Sequence, residues 1–210
     1  MRQIIRLSKL RSSRWAGCFP ALILALLASN SVAQTPAIVL DFLPSQTTIT
    51  FKLGDTLHTV HGAFSLKRGT VTYDPATGEM SGEIVADTAS GHTGNGMRDR
   101  KMHKEVLESA KYPDMIFRPD HVDGKVGMHG KSNVQVHGVF TVHGSDHEMT
   151  IPIELDMTPG HWEATAHFIV PYAKWGMKNP STFILRVSES VEVDVHATGE
   201  RPANGNATQQ

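Results

Sequence analysis

Short runs of alternating apolar and polar residues, repeated along most of the chain, constrain this sequence more than any other feature. From Thr48 to Leu53, Ile49, Phe51 and Leu53 alternate with Thr48, Thr50 and Lys52. Val60, Gly62 and Phe64 share one parity between Thr59 and Leu66. Gly69–Tyr73 and Gly82–Thr88 follow, separated by the turn signal Asp74-Pro75-Ala76-Thr77-Gly78. The pattern returns in Val134, Val136, Gly138, Phe140 and Val142, then in Met149, Ile151 and Ile153. Ala164, Ala166, Phe168 and Val170 repeat it, and Val191, Val193 and Val195 close the series. A period of two puts successive side chains on opposite faces of an extended chain. Short strands at this spacing, with Gly and Pro between them, predict an all-β antiparallel sandwich or barrel and not βαβ units.

One segment breaks the pattern. Asn95 to Leu107 is charged and lacks β-branched residues until Val106. Met97, Lys101 and Glu105 recur at helical spacing, while Met102, Val106 and Leu107 offer a narrow apolar stripe. We expect one short helix over a barrel mouth or along its side, the alternative being a structured loop. Tyr112-Pro113 then turns the chain back into a strand. Three Val-His-Gly runs (Val60-His61-Gly62, Val136-His137-Gly138 and Val142-His143-Gly144) read as similar strand ends, with Gly at bends or bulges.

The N-terminus reads as an address. Arg2, Arg6, Lys9, Arg11 and Arg14 precede the apolar run Ala21–Ala28, and Ser31-Val32-Ala33 supplies small residues for cleavage after Ala33. This is a secretory pattern, and the apolar run is too short for an ordinary membrane span. The expected organisation is a signal peptide over 1–33, one domain over 34–199 and a disordered polar tail over 200–210. The single cysteine, Cys18, leaves with the signal, so the exported domain must be held together by its core without a disulfide. The signal also takes five of the 20 basic residues and none of the 21 acidic ones, leaving a formal charge of −6. That balance argues against a nucleic-acid partner.

Residues able to carry chemistry are present but scattered. Twelve histidines invite a metal, yet no spacing matches HExxH or paired CxxC. His137 and His143 would lie about 20 Å apart along a strand. His143 and His147 could meet across the Gly144-Ser145-Asp146 turn. No metal site is assigned. GxSxG, GxGxxG and GxxxxGK motifs are all missing, so no catalytic residue and no cofactor is assigned. Arg98, Asp99, Arg100 and Lys101 form the one compact charged cluster, read either as a solvated helix face or as cations near a cavity mouth. Trp162 and Trp175 fit core or rim packing better than ligand stacking.

Several of these segments, in order, resemble the YceI-like family. Gly62-Ala63-Phe64 is similar to the end of its second strand. Arg98-Asp99 followed by Met102 resembles its Arg-Asp-x-x-Leu helix. Tyr112-Pro113 through Phe117 is similar to its Tyr-Pro-x-x-x-Phe element, and Gly138 to Gly144 resembles its Gly-x-Leu-Thr-Ile-x-Gly hairpin strand. Val191 to Val195 stands in the place of its closing strand. Two loops depart from the family pattern. Ser145-Asp146-His147-Glu148 replaces a usual Val-Thr-Lys/Arg-Pro, and Tyr172-Ala173-Lys174-Trp175-Gly176 replaces an Asp-Phe-Gly-like element.

The resemblance implies a lipocalin-like antiparallel barrel of about eight strands that binds a polyisoprenoid chain in the periplasm. An eight-stranded barrel is wide enough for one slender ligand. The expected lining is Ile49, Phe51, Val60, Phe64, Ile84, Phe117, Val136, Phe140, Val142, Ile151 and Phe168, with Arg98, Asp99 and Lys101 at the headgroup. The same residues could instead fill a solid core. The expected partner is an isoprenoid or other long-chain lipid, with no stable membrane insertion after cleavage and a monomeric or homodimeric chain. Rival readings are a periplasmic enzyme acting on a lipid headgroup, for example through a histidine and Asp99, and a histidine-based metal or stress-response binder.

Overall fold

The alternating segments become nine antiparallel strands in a computed structural model that describes residues 36–201 except 57, 184 and 185. The expected signal peptide and the tail from 202 onward lie outside the described residues. The strands are β1 (Ile38–Phe42), β2 (Thr48–Gly54), β3 (Thr59–Tyr73), β4 (Met80–His92), β5 (Asp114–Asp123), β6 (Gly130–Val142), β7 (Ser145–Thr158), β8 (His161–Val170) and β9 (Val191–Glu200). From β2 onward each pairs with its successor, and β9 returns to β1 and β2, so the sheet closes on itself. Closure leaves every ladder paired.

Nine strands fill eight positions. β1 pairs with Thr70–Tyr73 of β3, and β2 pairs with Thr59–Phe64 of the same strand. Both run in one direction and both face β9. They are a single strand interrupted by a 3-10 turn at Pro44–Gln46. Pro44 has no N–H to give to a ladder, which is why the pairing stops there. Thr47 then donates its hydroxyl to the Leu43 carbonyl (3.0 Å), closing the bend from inside.

The sequence shows β3 as two segments because its parity changes. Leu66 faces in, Lys67 and Arg68 both face out, and Gly69, Val71 and Tyr73 face in again. A register shift between Leu66 and Arg68 produces this slip. β5 slips likewise between Pro119 and His121. β1 carries too little alternation to be picked out beforehand, and β9 runs to Glu200, one residue beyond the expected domain end.

The barrel is filled at one end. Ile38, Leu40, Tyr73, Val122, Val134, Val136, Leu155, Met157, Trp162 and Ala197 form one buried cluster. Trp162 is 1 % exposed and donates its indole N–H to the Glu200 carbonyl at 3.2 Å. The connections at this end are short. Those at the other end include the long segments 93–113 and 171–190. Sequence order alone puts both there, because each follows a strand running away from the filled end.

The 93–113 connection contains the expected helix, in two parts. α1 (Gly96–Lys101) starts at Asn95, whose side-chain oxygen accepts from the Met97 and Arg98 N–H groups at 3.1 Å each. A π-helical turn, Met102–Val106, continues it, with Leu107 N–H bonded to the Met102 carbonyl at 2.9 Å. His103 pins this turn to the barrel. Its Nε2 lies 2.7 Å from the Gly91 carbonyl, so it must be the donor, and Nδ1 lies 2.7 Å from Ser109 Oγ.

Candidate functional site: an apolar barrel cavity

Above the filled end the inward-facing side chains do not meet, and they leave a cavity of about 610 Å³. That volume lies within the range of small-molecule sites. Its floor is Phe42, whose ring stands edge-on to Trp162 with centroids 4.6 Å apart, together with Phe117, Ile153, Ala164 and Val195. Its walls come from β2 to β9. The small residues Ala86, Ala164 and Ala166 make room where larger side chains would fill it.

Ten of the eleven expected lining residues face this space: Ile49, Phe51, Val60, Phe64, Ile84, Phe117, Phe140, Val142, Ile151 and Phe168. Val136 does not. It has the inward parity of Phe140 and Val142, but it sits lower on β6 and is buried in the filled cluster. Parity tells a residue's face and not its depth along the barrel axis. Phe51 also shows why Gly62 carries no side chain. A Cβ there would run into the Phe51 ring and stand 2.7 Å from the His92 carbonyl.

The mouth is covered by residues with no period-two signal. Met102, Val106 and Leu107 approach from the helical segment, and Tyr172 and Met177 from the 171–190 connection. Tyr172 and Met177 are buried against Val142 and Val170. The Tyr172 hydroxyl donates to the Ser188 carbonyl at 2.6 Å, and burial pushes its phenol up to about 12, with the Glu189 carboxylate adding to the shift. The stripe Met102, Val106 and Leu107 was legible in the sequence. The contribution of Tyr172 and Met177 was not, because irregular backbone has no periodicity to reveal its inner side.

The charged side chains in the lining, Asp55, His58, Arg98 and Lys101, gather at the mouth beside Thr93 and Asn95, while Thr47 and Thr165 are the other threonines of the lining, at the β1–β2 bend and on β8. Arg98 donates from Nε to Thr93 Oγ1 (2.7 Å) and from Nη2 to the Thr93 carbonyl (3.0 Å). Lys101 Nζ reaches the Pro180 carbonyl at 3.3 Å, and Lys178 pairs with Glu105 at 2.6 Å, so the helical segment and the 171–190 connection are tied together. Asp99 is not part of the lining. Its carboxylate accepts from the Thr93 N–H (2.9 Å) and hydroxyl (2.5 Å), which fixes the turn that presents Arg98. The expected triad at the rim is therefore two cations in the lining and one carboxylate that fixes the turn presenting Arg98.

The histidines disperse. His143 and His147 do not meet across their turn. His143 Nε2 lies 2.6 Å from Glu108, and its ring packs on Tyr112, whereas His147 stacks on Trp175. Glu108 and His143 have φ of +45° and +51°, the only positive values at non-glycine residues among those described. Their contact spans the helical segment and the β6–β7 hairpin. Gly144 follows at φ +75°, and a Cβ there would collide with the Tyr112 ring. His137 pairs with Asp120 at 2.8 Å on the outer wall, which raises its pKa. Among the described residues no group of three or more His, Cys, Asp or Glu could hold a metal ion. No described helix is long and apolar enough to cross a membrane.

The YceI-like domain pattern matches residues 41–199. Three solved structures share the fold at low identity. BcnA of Burkholderia cenocepacia gives a TM-score of 0.62 at 18 % identity, covering 76 % of this chain and 99 % of that one. A polyisoprenoid binding domain from Saccharophagus degradans, implicated in plant cell wall breakdown, gives 0.63 at 16 %, covering 78 % and 98 %. A Campylobacter jejuni YceI protein gives 0.57 at 18 %, covering 69 % and 86 %. No curated protein matches the chain. The pattern spans nearly the whole barrel, from Asp41 in β1 to Gly199 in β9, and on that match the chain belongs to the YceI-like family.

Proposed function

We propose that this protein binds an isoprenoid-type lipid, tail first, in the barrel cavity, and transports or stores it in the periplasm. One observation carries the reading: the cavity's floor and walls are almost wholly apolar, and its charged side chains are confined to the mouth. A hydrocarbon chain fits the first part and a polar headgroup the second. Burying a tail stabilises by about 0.8 kcal/mol per CH₂, so two or three isoprene units contribute on the order of 10 kcal/mol before ordering costs. That suffices for micromolar affinity or better with no catalytic group. Arg98 and Lys101 supply cations for an anionic headgroup such as a phosphate or pyrophosphate. Catalysis on a headgroup through a histidine and Asp99 is disfavoured because Asp99 is engaged by Thr93 and is not part of the lining. The polyisoprenoid binding of the Saccharophagus degradans domain supports the same ligand class.

Native mass spectrometry of protein from a bacterial periplasm, with organic extraction of co-purifying material, tests this. A single species with isoprene-spaced fragments supports the proposal. A bare-chain mass with no uptake of added prenyl lipid overturns it.

A further inference from the structure

We infer that the mouth of the barrel docks on an anionic lipid bilayer, a step that rests on the lipid-binding reading and extends it to where the ligand is collected or delivered. Two large apolar side chains at this end are largely exposed. Phe183 is 97 % exposed and Met97 74 % exposed. They belong to the two segments tied together by Lys101 with Pro180 and by Lys178 with Glu105. Met97 also lines the cavity opening, so the apolar surface runs from the outside of the rim to the interior. Large hydrophobic side chains held in water next to an opening are the signature of a surface that meets another apolar phase.

Charge points to the same partner. The four connections at the open end, residues 55–58, 93–113, 143–144 and 171–190, carry eight Lys and Arg against five Asp and Glu. All other residues from 34 onward carry seven against sixteen. The open end therefore carries a net positive charge on an otherwise acidic domain, and Met97 and Phe183 belong to the same connections as those cations. Arg100 and Lys104 on the helical segment, and Lys174 and Arg186 on the longer connection, are all exposed. Cations flanking inserted apolar side chains match the interface of an anionic membrane. With the mouth against the bilayer, a prenyl tail would pass between bilayer and barrel without crossing water, the costly part of any transfer.

Flotation with vesicles tests this. Phosphatidylglycerol mixed with phosphatidylethanolamine provides the anionic surface, and phosphatidylcholine alone the neutral one. The protein is expected to float with the anionic vesicles and less with the neutral ones, and to be weakened by salt. Phe183→Ser and Arg100→Glu with Lys104→Glu should each reduce binding, by about fivefold or more per cation changed. These residues do not line the cavity, so uptake of farnesol from solution should stay unchanged. All variants share one N-terminus, and comparison among them reads the mouth alone. Equal binding to both vesicle types, no binding to either, or wild-type binding by both variants would overturn docking. Loss of farnesol uptake in the unaltered protein, with vesicle binding intact, would instead remove the ligand reading and leave the docking surface standing.

Discussion

The imidazole of His147 lies flat on the indole of Trp175, with ring centroids 4.1 Å apart and planes within 6°. These residues come from the two segments that depart from the family pattern, both expected as loops; the first is in fact the start of β7, where His147 pairs with Phe140, and the structure brings the two into contact. Trp175 also meets Phe140, a cavity-lining residue, at 6.0 Å. The pair thus fastens the 171–190 connection to the β6–β7 hairpin above the cavity wall. Aromatic pairs of this kind contribute about 0.5–1.5 kcal/mol beyond area burial. A double-mutant cycle of His147→Ala and Trp175→Ala, read by urea unfolding, should give a coupling in that range. A coupling near zero would show that the stack holds nothing in place.

Val136 and Phe140 share a parity on β6 but lie in different surroundings, and this separates stability from binding. Val136→Ala should cost about 2 kcal/mol, because it opens a hole in a filled cluster. It should leave prenyl-lipid affinity unchanged. Phe140→Asp or Phe51→Asp places a charge on the cavity wall and should abolish lipid binding in a protein that remains folded by circular dichroism. Unchanged affinity in either folded variant would remove that residue from the site.

Ala166 faces the cavity from β8. Ala166→Leu adds apolar atoms to empty space, so it should not lower stability and should raise it by up to about 1–2 kcal/mol. The same atoms occupy volume a ligand needs, and lipid uptake should fall at least tenfold, on the order of 1.4 kcal/mol. A loss of stability would mean that the wall around Ala166 is already packed.

Tyr172 ties stability to alkaline pH. Its phenol ionises near 10 when unfolded and at about 12 in the folded protein, because burial disfavours the charged form. The folded state therefore holds the proton more tightly. The contribution is intact below pH 10 and is lost as the pH rises from there to about 12. An ultraviolet titration should show a tyrosine step at about pH 12, and Tyr172→Phe should abolish it. The variant should also lose about 1 kcal/mol with the bond to the Ser188 carbonyl.

Much of the barrel was legible because its physics is local. Alternation fixes which side chains share a face, and Gly62 and Gly144, read as bends or bulges, fall at a close approach to Phe51 and at a turn. The misreadings have local causes as well. β3 looked like two strands because a bulge shifts its parity at Lys67-Arg68. The helix was expected whole, and its second half proved to be a π turn anchored by His103, a contact twelve residues from its partner Gly91.

The sequence by itself determined the two-faced strands, the all-β class and nearly every residue that faces inward, since these follow from a period of two and the need to hide apolar surface, while closure into a barrel was expected from the family resemblance. Only the tertiary structure decided that the barrel is filled below Phe42 and open above it, that Val136 lies on the filled side, and that Asp99 steadies the mouth without facing the cavity. Depth along the axis depends on how eight staggered strands align, and that alignment is a property of pairings between residues far apart in the chain.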